Sequence, residues 1–393
     1  MTAKSAPRTV LGVAAVCFIG LALAVAASET MLRFLDLPRE QPVGWAWRGD
    51  PKESNELGFR GHRALAKVDD TIVLVGDSQV ETERPFALMP EVLLGSALRE
   101  LTQRDTRVVS VAAKGWGQDQ QLLALRRVLP IIRPRMVVLW FSAGNDLWNN
   151  TFPTHLPKDG WPKPTFWLEG DTLRGPHAAW GEASRPPGTR LLRAWRRILQ
   201  RPMYVTDTEW ESKLPPAYSG GFVQPGRVRS LTEFAAAQYD VPVPEMAAAL
   251  AGENFENEKT HANIALTPRS PRLQYSIRLT RALLREIAQL CRQQGATFLV
   301  LHIDTRPYAH LPEEPTPFEV SGRLVTLSNA AAQEAVIREV LEDVPSLVVS
   351  GYRPRFRTSK LDAHLNDEGN RYFMRELARR LSGRIRHVFR TPA

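Results

Sequence analysis

Five short runs of β-branched and apolar residues, each followed by a helical pattern, constrain the fold of this 393-residue chain most strongly. The runs are Thr71–Val75, Arg107–Ala112, Met136–Phe141, Thr297–Ile303 and Ser346–Ser350. The third and fourth are apolar on both faces, as expected for parallel strands that are covered on both sides. The helical patterns cover Ala87–Arg104, Gln120–Leu129, Pro271–Gln294, Asn329–Glu342 and Asp367–Leu381, with Asn329 and Asn366 as capping residues. This alternation predicts a three-layer α/β/α fold with about five parallel strands.

The N-terminus carries an uncharged run of 18 residues, Val10 to Ala27, which follows Lys4 and Arg8. A run of this length is just sufficient to cross the roughly 30 Å hydrocarbon core of a membrane as a helix. Basic residues before the run favour an orientation in which everything after Ser28 lies outside the cytoplasm. The sequence therefore predicts a single-pass anchor in the inner membrane and a periplasmic domain. The second interpretation is a cleaved signal peptide, because Ala24-Val25-Ala26 resembles a small-residue cleavage site.

Composition and periodicity divide the chain into four parts. We expect an anchor at residues 1–36, a linker or strap at 37–67, an α/β domain formed by 68–148 and 271–393, and an insertion at 149–270. The insertion lies between the third and fourth strands, shows no sheet-like periodicity and is too long for one structureless loop. Within it, Arg190 to Gln200 is amphipathic. We expect this segment to be a lid helix packed on the domain; the alternative is a helix on an anionic membrane surface.

Polar residues with catalytic potential follow three of the predicted strands. Ligands of open α/β sheets bind at the carboxyl ends of the strands. Ser78 follows the first strand in Gly76-Asp77-Ser78-Gln79, Gly115 follows the second, and Asn145 follows the third. The N–H groups of Ser78 and Gly115 and the Asn145 amide are three donors that could converge on one oxyanion. A nucleophilic serine needs a base and an orienting acid, and Asp362-Ala363-His364 before the last helix supplies both types.

These blocks, in this order, resemble the SGNH hydrolases, a branch of the GDSL esterases and lipases. The resemblance covers about residues 70–148 and 295–383, and it implies a flavodoxin-like SGNH fold. It further implies Ser78 as nucleophile, His364 and Asp362 as the rest of the triad, and Ser78, Gly115 and Asn145 as the oxyanion hole. The phrases Gly58-Phe59-Arg60-Gly61 and Gly117-Gln118-Asp119-Gln120 resemble a membrane-associated bacterial subgroup.

Two positions depart from the family pattern. Gln79 occupies the fourth position of the GDSL motif, which has no catalytic role. The acid and the histidine are spaced D-x-H, whereas many members have D-x-x-H, so the loop must turn between Asp362 and His364 if the two are to meet. His302, at the end of the fourth strand, is the nearest rival histidine, and for it we expect a structural role.

The leading functional hypothesis is a serine esterase that acts on acylated glycans or lipids outside the cytoplasm. The same acyl-enzyme could transfer its acyl group to a sugar, as in polysaccharide O-acetyltransferases, or the domain could be a silent binding module. The net charge of +9 favours anionic surroundings, but no nucleic-acid-binding motif accompanies it. Two distant cysteines and the lack of nucleotide-binding motifs predict no metal and no cofactor. Protein partners and oligomeric state are not indicated.

Overall fold

The computed structural model describes most of the chain outside the insertion. The described residues are 6–35, 50–62, 70–151, 154–155, 161–176, 189–198, 264–304, 316–320, 323–327, 331–359 and 362–388. Asn329, most of the strap and much of the insertion lie outside the described residues, so the predictions for them stay predictions. The division of the chain into four parts also stays a prediction.

Twelve strands occur in the described residues. They are β1 Thr71–Gly76, β2 Arg107–Ala112, β3 Met136–Phe141, β4 Thr154–His155, β5 Trp161–Pro162, β6 Trp167–Glu169, β7 Thr172–Arg174, β8 Leu266–Thr267, β9 Thr297–Ile303, β10 Thr316–Val320, β11 Arg323–Leu327 and β12 Ser346–Val349. The five long predicted strands form one parallel sheet in the order β12-β9-β3-β1-β2. If only the five strands of this sheet are numbered in chain order, their spatial order from β2 to β12 is 2-1-3-4-5. The topological switch point of this order lies between β1 and β3. The predicted α/β fold is confirmed.

Nine α-helices occur in the described residues. They are α1 Ala6–Phe34, α2 Ser78–Glu81, α3 Pro90–Thr102, α4 Gln118–Ile132, α5 Ala143–Thr151, α6 Arg190–Ile198, α7 Pro271–Gln293, α8 Ala331–Leu341 and α9 Asp367–Val388. The cap predicted at Asn366 is present, because its Oδ1 accepts the N–H of Gly369 at 2.9 Å. Two short helices that directly follow strands, α2 and α5, were not predicted, since four and nine residues are too few to show a helical period.

The side chains of the central strands alternate between two cores. On one face Val73, Val75 and Val137 pack with α4, α7 and α8. On the other face Ile72 and Leu74 pack with α3 and α9. All six residues of β1 and of β3 are buried, as both-face apolar runs predict. The sheet is therefore covered on both sides, and its open edge at the carboxyl ends of the strands is left for a site.

The insertion differs from its prediction in one respect. Although its sequence shows no strand period, it contains short strand pairs, β4 with β5 and β6 with β7, and β8 pairs with β11. Strands of two or three residues are too short to show an alternation. Lys163 connects the insertion to the core through a buried ion pair with Asp119 of α4.

The N-terminal helix α1 contains one segment, Gly12–Phe34, that is long and apolar enough to cross a membrane. A signal sequence near the N-terminus passes the same test, so length and composition leave both interpretations of the sequence open. The predicted helix is confirmed, and its topology stays a prediction.

Candidate active site

Ser78 lies at the switch point, directly after β1 and as the first residue of α2. The turn that places it there is tight. A Cβ atom on Gly76 would lie 2.5 Å from Cγ2 of the buried Val80, so any larger residue would force Val80 to shift. Asp77 caps α2, because its carboxylate accepts the N–H of Gln79 at 2.9 Å. Among the described residues nothing accepts a hydrogen bond from the Ser78 N–H. The turn therefore presents a hydroxyl and a donor N–H side by side.

His364 and Asp362 reach Ser78 from the loop before α9. His364 Nε2 lies 2.7 Å from Ser78 Oγ, and its Nδ1 lies 2.5 Å from Asp362 Oδ1. The same carboxylate oxygen also accepts the backbone N–H of His364 at 2.9 Å. The short D-x-H spacing thus allows one oxygen to contact both the backbone and the ring of the histidine. The result is a continuous chain of hydrogen bonds from carboxylate to imidazole to hydroxyl.

The electrostatics of this chain follow from the same contacts. The hydrogen bond with Asp362 raises the pKa of His364 above its ordinary value, against the opposing effect of burial. Burial by itself raises the pKa of Asp362, but the side-chain and backbone hydrogen bonds with His364 hold that pKa below its ordinary value. The arrangement therefore favours an ionised carboxylate beside a histidine that is a stronger base than usual.

Gly115 and Asn145 flank Ser78 on the neighbouring strand ends. Gly115 has a φ of +70°, which favours glycine, and among the described residues its N–H has no acceptor. The Asn145 side chain donates one hydrogen bond to Asp77 Oδ2 at 2.9 Å, which leaves its second N–H for another acceptor. The three donors expected for an oxyanion thus follow the adjacent strands β1, β2 and β3 at the carboxyl end of the sheet, although Asn145 also donates to the residue before the serine.

Arg60, to which the sequence analysis assigns no role, supports α2, the helix that begins at Ser78. Its buried guanidinium donates to the carbonyls of Glu81 (3.2 Å), Thr82 and Arg84 (2.8 Å) at the end of α2. It also donates to the carboxylate of Glu53 at 2.8 Å. The last carbonyls of a helix have no partner inside the helix, so one arginine supplies what α2 is too short to provide.

The residue before Arg60 supports the Gly115 loop. The ring of Phe59 packs edge-on against the ring of Trp116, with 5.9 Å between centroids, and both side chains are buried. In the sequence these contacts correspond to the Gly58-Phe59-Arg60-Gly61 phrase, whose family resemblance does not indicate a position at the site.

Glu81 connects α2 to the same loop. Its carboxylate accepts the backbone N–H of Lys114 at 2.6 Å, one residue before Gly115. Burial raises the pKa of Glu81 to about 6. Lys114 directs its ammonium group to the exposed carboxylate of Glu83 instead. Glu81 thus fixes the backbone of Lys114, and Glu83 fixes its side chain.

A buried polar network lies under the β3 loop. Asp146 accepts the N–H of Ser142 at 2.9 Å and the side-chain amide of Gln118 at 2.6 Å. Burial, and next the charge of Asp77, raise the pKa of Asp146 well above its ordinary value. The side-chain amide of Asn150 donates to the side-chain oxygen of Gln118 and to the hydroxyl of Thr280, and so extends the network to α7. Asp146 therefore fixes the loop that carries Asn145 rather than facing a substrate.

The remaining sequence candidates lie elsewhere. His302 is buried, its Nδ1 lies 3.2 Å from the carbonyl oxygen of Phe141, and burial lowers its pKa. It fits the structural role expected for it. Gln79 contributes more than expected, because its side-chain oxygen accepts the N–H of Leu365 at 3.3 Å and so connects the serine turn to the histidine loop. No group of three or more His, Cys, Asp or Glu that could hold a metal occurs in the described part of the chain.

Comparison with known proteins adds little to this geometry. No family model matches the chain, and no curated protein matches it. Among solved structures, it is similar to the lipase Lip_vut3 from a goat rumen metagenome, with 10% sequence identity over 80% of this chain and 97% of that chain. The TM-score is 0.36, which is too low for the likeness to bear on function. The function of the site therefore has to be inferred from the geometry of its residues.

Proposed function

We propose that this chain is a serine esterase of the SGNH type that acts through an acyl-enzyme. The observation that carries the proposal is the hydrogen-bonded series Asp362–His364–Ser78 at the switch point of the sheet, with donor N–H groups beside the serine. Nucleophile, base and orienting acid within hydrogen-bond distance of one another are the signature of nucleophilic acyl transfer.

The reaction follows from these positions. His364 Nε2 takes the proton of Ser78 Oγ while that oxygen attacks the carbonyl carbon of the ester. The charge that develops on the carbonyl oxygen is stabilised by the N–H groups of Ser78 and Gly115 and by the free N–H of Asn145. Collapse of the tetrahedral intermediate expels the alcohol, which receives the proton from His364. Water, deprotonated by His364, then attacks the acyl carbon. The second tetrahedral intermediate collapses with cleavage of the bond to Ser78 Oγ, which takes the proton back from His364, and the acid is released.

The substrate class we propose is an acylated glycan or lipid outside the cytoplasm, with α1 as an inner-membrane anchor. The apolar segment Gly12–Phe34 supports anchoring. The mass of the protein isolated from membranes tests this: the mass of the full chain indicates an anchor, and a mass that lacks this segment indicates a cleaved signal. In the chain, Asp362 and His364 follow the serine, and this order favours a hydrolase over the polysaccharide O-acetyltransferases.

The first experiment is labelling of the full chain, in detergent micelles, with a fluorophosphonate probe, together with turnover of p-nitrophenyl acetate. We expect Ser78→Ala to abolish both signals and Ser96→Ala, at an exposed serine of α3, to leave both unchanged. Absence of labelling and turnover in the wild type would favour a silent binding module, whereas labelling that is undiminished in Ser78→Ala would overturn Ser78 as the nucleophile.

A second experiment separates hydrolysis from transfer. Acetate release is measured from a panel of O-acetylated glycans with and without acceptor sugars. We expect release that does not depend on an acceptor. Release that occurs only with an acceptor sugar would identify the chain as a transferase with the same acyl-enzyme.

A further inference from the structure

The amphipathic helix α6 of the insertion begins at the C-terminal end of the proposed anchor. The N–H of Leu191 donates to the carboxylate of Glu29 at 2.8 Å, and the guanidinium of Arg190 donates to the carbonyl of Leu32 at 3.3 Å. Thr189 caps the same end, accepting the N–H of Leu192 at 3.2 Å. A carboxylate at a helix N-terminus is favoured by the helix dipole and by the unpaired N–H groups there. The start of α6 is thus tied to the point where α1 ends.

Two large apolar side chains of α6 are exposed. Leu192 and Trp195, three residues apart and hence neighbours on the helix surface, are 43% and 58% exposed. The lid-helix prediction required this face to be packed, so the prediction is wrong for these two residues. An exposed leucine–tryptophan pair favours another apolar environment, and the N-terminus of α6 contacts the last turns of the apolar segment Gly12–Phe34.

The charge of α6 complements an anionic surface. Its nine residues, RLLRAWRRI, include four arginines and no acidic residue. Helices with this composition lie in the membrane interface, with the apolar side chains at the boundary of headgroups and acyl chains. Tryptophan is enriched at that depth.

We propose that α6 is an interfacial helix that lies on the outer leaflet of the membrane that α1 crosses. Leu192 and Trp195 enter the headgroup–acyl boundary, and the arginines bind anionic phospholipid headgroups. The proposal rests on α1 being retained as an anchor and does not depend on the esterase reaction. Because the insertion also carries Lys163, paired with the core at Asp119, one segment of chain connects the membrane surface to the α/β domain.

The test uses the full chain in lipid nanodiscs and a fluorescent label at one cysteine. All variants carry Cys17→Ser, which removes the exposed cysteine. Cys291 stays unlabelled because it is buried, and burial raises its pKa to about 12. An environment-sensitive label is attached at Leu192→Cys or, as the matched control, at Thr172→Cys, an exposed position on β7. Nitroxide-bearing lipids, with the nitroxide near the headgroup, serve as the quencher.

We expect quenching of the label at residue 192 in nanodiscs of phosphatidylcholine with phosphatidylglycerol, and none at residue 172. A label at 192 that is shifted to the blue but not quenched would show burial in protein, and a solvent-like label would show free exposure. Either result overturns the proposal while leaving the anchor intact. Chain mass is recorded in parallel, and loss of α1 by cleavage would overturn the anchor and the interfacial helix together.

The charge component has its own variants. Arg193→Gln with Arg196→Gln should reduce quenching at residue 192 in anionic nanodiscs to the level in phosphatidylcholine alone. Arg371→Gln with Arg375→Gln removes the same charge from an exposed part of α9 and should change nothing. Trp195→Ser should weaken quenching without changing turnover of soluble p-nitrophenyl acetate. Equal quenching in both charge variants would overturn the role of the arginines.

Discussion

The two halves of the candidate site are built in different ways. The nucleophile half, from Ser78 to Arg84 with the Gly115 loop, is held by buried contacts between segments far apart in sequence, above all by Arg60, which is 4% exposed. The base half, the loop that carries Asp362 and His364, is held largely by its own backbone and remains open to solvent. The side chains of His364 and Asp362 are 43% and 42% exposed.

This difference has a chemical meaning. Donors that stabilise developing charge act best when they are fixed before the reaction, and the nucleophile half provides that rigidity. A general base must exchange protons with the leaving group and with water, and a half-open histidine can do so. In the described residues the halves meet through the contact between His364 Nε2 and Ser78 Oγ. They are also connected by the hydrogen bond from the N–H of Leu365 to Gln79, and by Arg84, which contacts the hydroxyl of Thr358 at 2.6 Å and the carboxylate of Asp367 at 3.7 Å.

The largest effect should come from removing the base. His364→Ala should lower turnover of p-nitrophenyl acetate by about 10²–10⁴-fold, the usual contribution of a general base. Because the base half makes few buried contacts, the unfolding midpoint should change little, which differential scanning of the two proteins would measure. His302→Ala serves as the comparison. Loss of activity in His302→Ala, with activity retained in His364→Ala, would show that the base has been assigned to the wrong histidine.

The next effect tests the rigidity of the nucleophile half. Arg60→Gln leaves three backbone carbonyls without their shared donor, and each unsatisfied buried acceptor costs about 1–3 kcal/mol. In denaturant titrations, we expect the loss of unfolding free energy in Arg60→Gln to be several times the loss in Arg104→Gln. Arg104 pairs with Asp70 in a partly exposed position, where an ion pair contributes about 0–1 kcal/mol. Equal losses in the two variants would mean that Arg60 is an ordinary surface arginine.

Asp362→Asn should change the pH profile more than the fold. In the proposed reaction His364 must be neutral, and Asp362 raises its pKa, so we expect activity to increase as pH rises through a midpoint above the ordinary value near 6.5. The asparagine removes that effect and should move the midpoint to lower pH. Hydrogen bonds to charged groups contribute about 1.5–3 kcal/mol, so the plateau rate should fall roughly ten- to a hundredfold. The control is Asp171→Asn, which removes an exposed carboxylate paired with Arg278 and should leave the midpoint of the pH profile unchanged. A midpoint that is also unchanged in Asp362→Asn would exclude Asp362 as the orienting acid.

The same contrast explains what the sequence could predict. Strand runs buried on both faces predicted the sheet, and residues at strand ends predicted Ser78, Gly115 and Asn145 as neighbours, because parallel strands bring their carboxyl ends to one edge. The roles of Arg60 and Glu81 were not predictable in this way. Both act through side-chain contacts with backbone groups distant in the chain or on another loop, which leave no trace in local periodicity. The contact of α6 with α1 joins residues more than 150 positions apart and was missed for the same reason.

The smallest expected effect concerns Glu81, the buried carboxylate that holds the Gly115 loop. Its pKa of about 6 exceeds the ordinary value of 4.5, so between these values the folded protein keeps a proton that the unfolded chain has lost. The favourable contribution of this proton is present in full below about pH 4.5 and is lost as pH rises through 6; a shift of this size corresponds to about 2 kcal/mol. Glu81→Gln retains an oxygen acceptor for the Lys114 N–H but no longer titrates. The free energy of unfolding of the variant, relative to the wild type, should therefore increase by roughly that amount between pH 4.5 and pH 7.

Glu83 provides the matched control, because it contacts the same lysine from the exposed side. The hydrogen bond with Lys114 lowers the pKa of Glu83, so its contribution has the opposite sign: it is present above the ordinary pKa and lost as pH falls. Glu83 is 77% exposed, and solvent screening keeps its effect small. Urea titrations of both variants and the wild type over this pH range would measure the two slopes. A Glu81→Gln difference that does not vary with pH would mean that this carboxylate is solvated, and that the nucleophile half is less rigidly built than its contacts indicate.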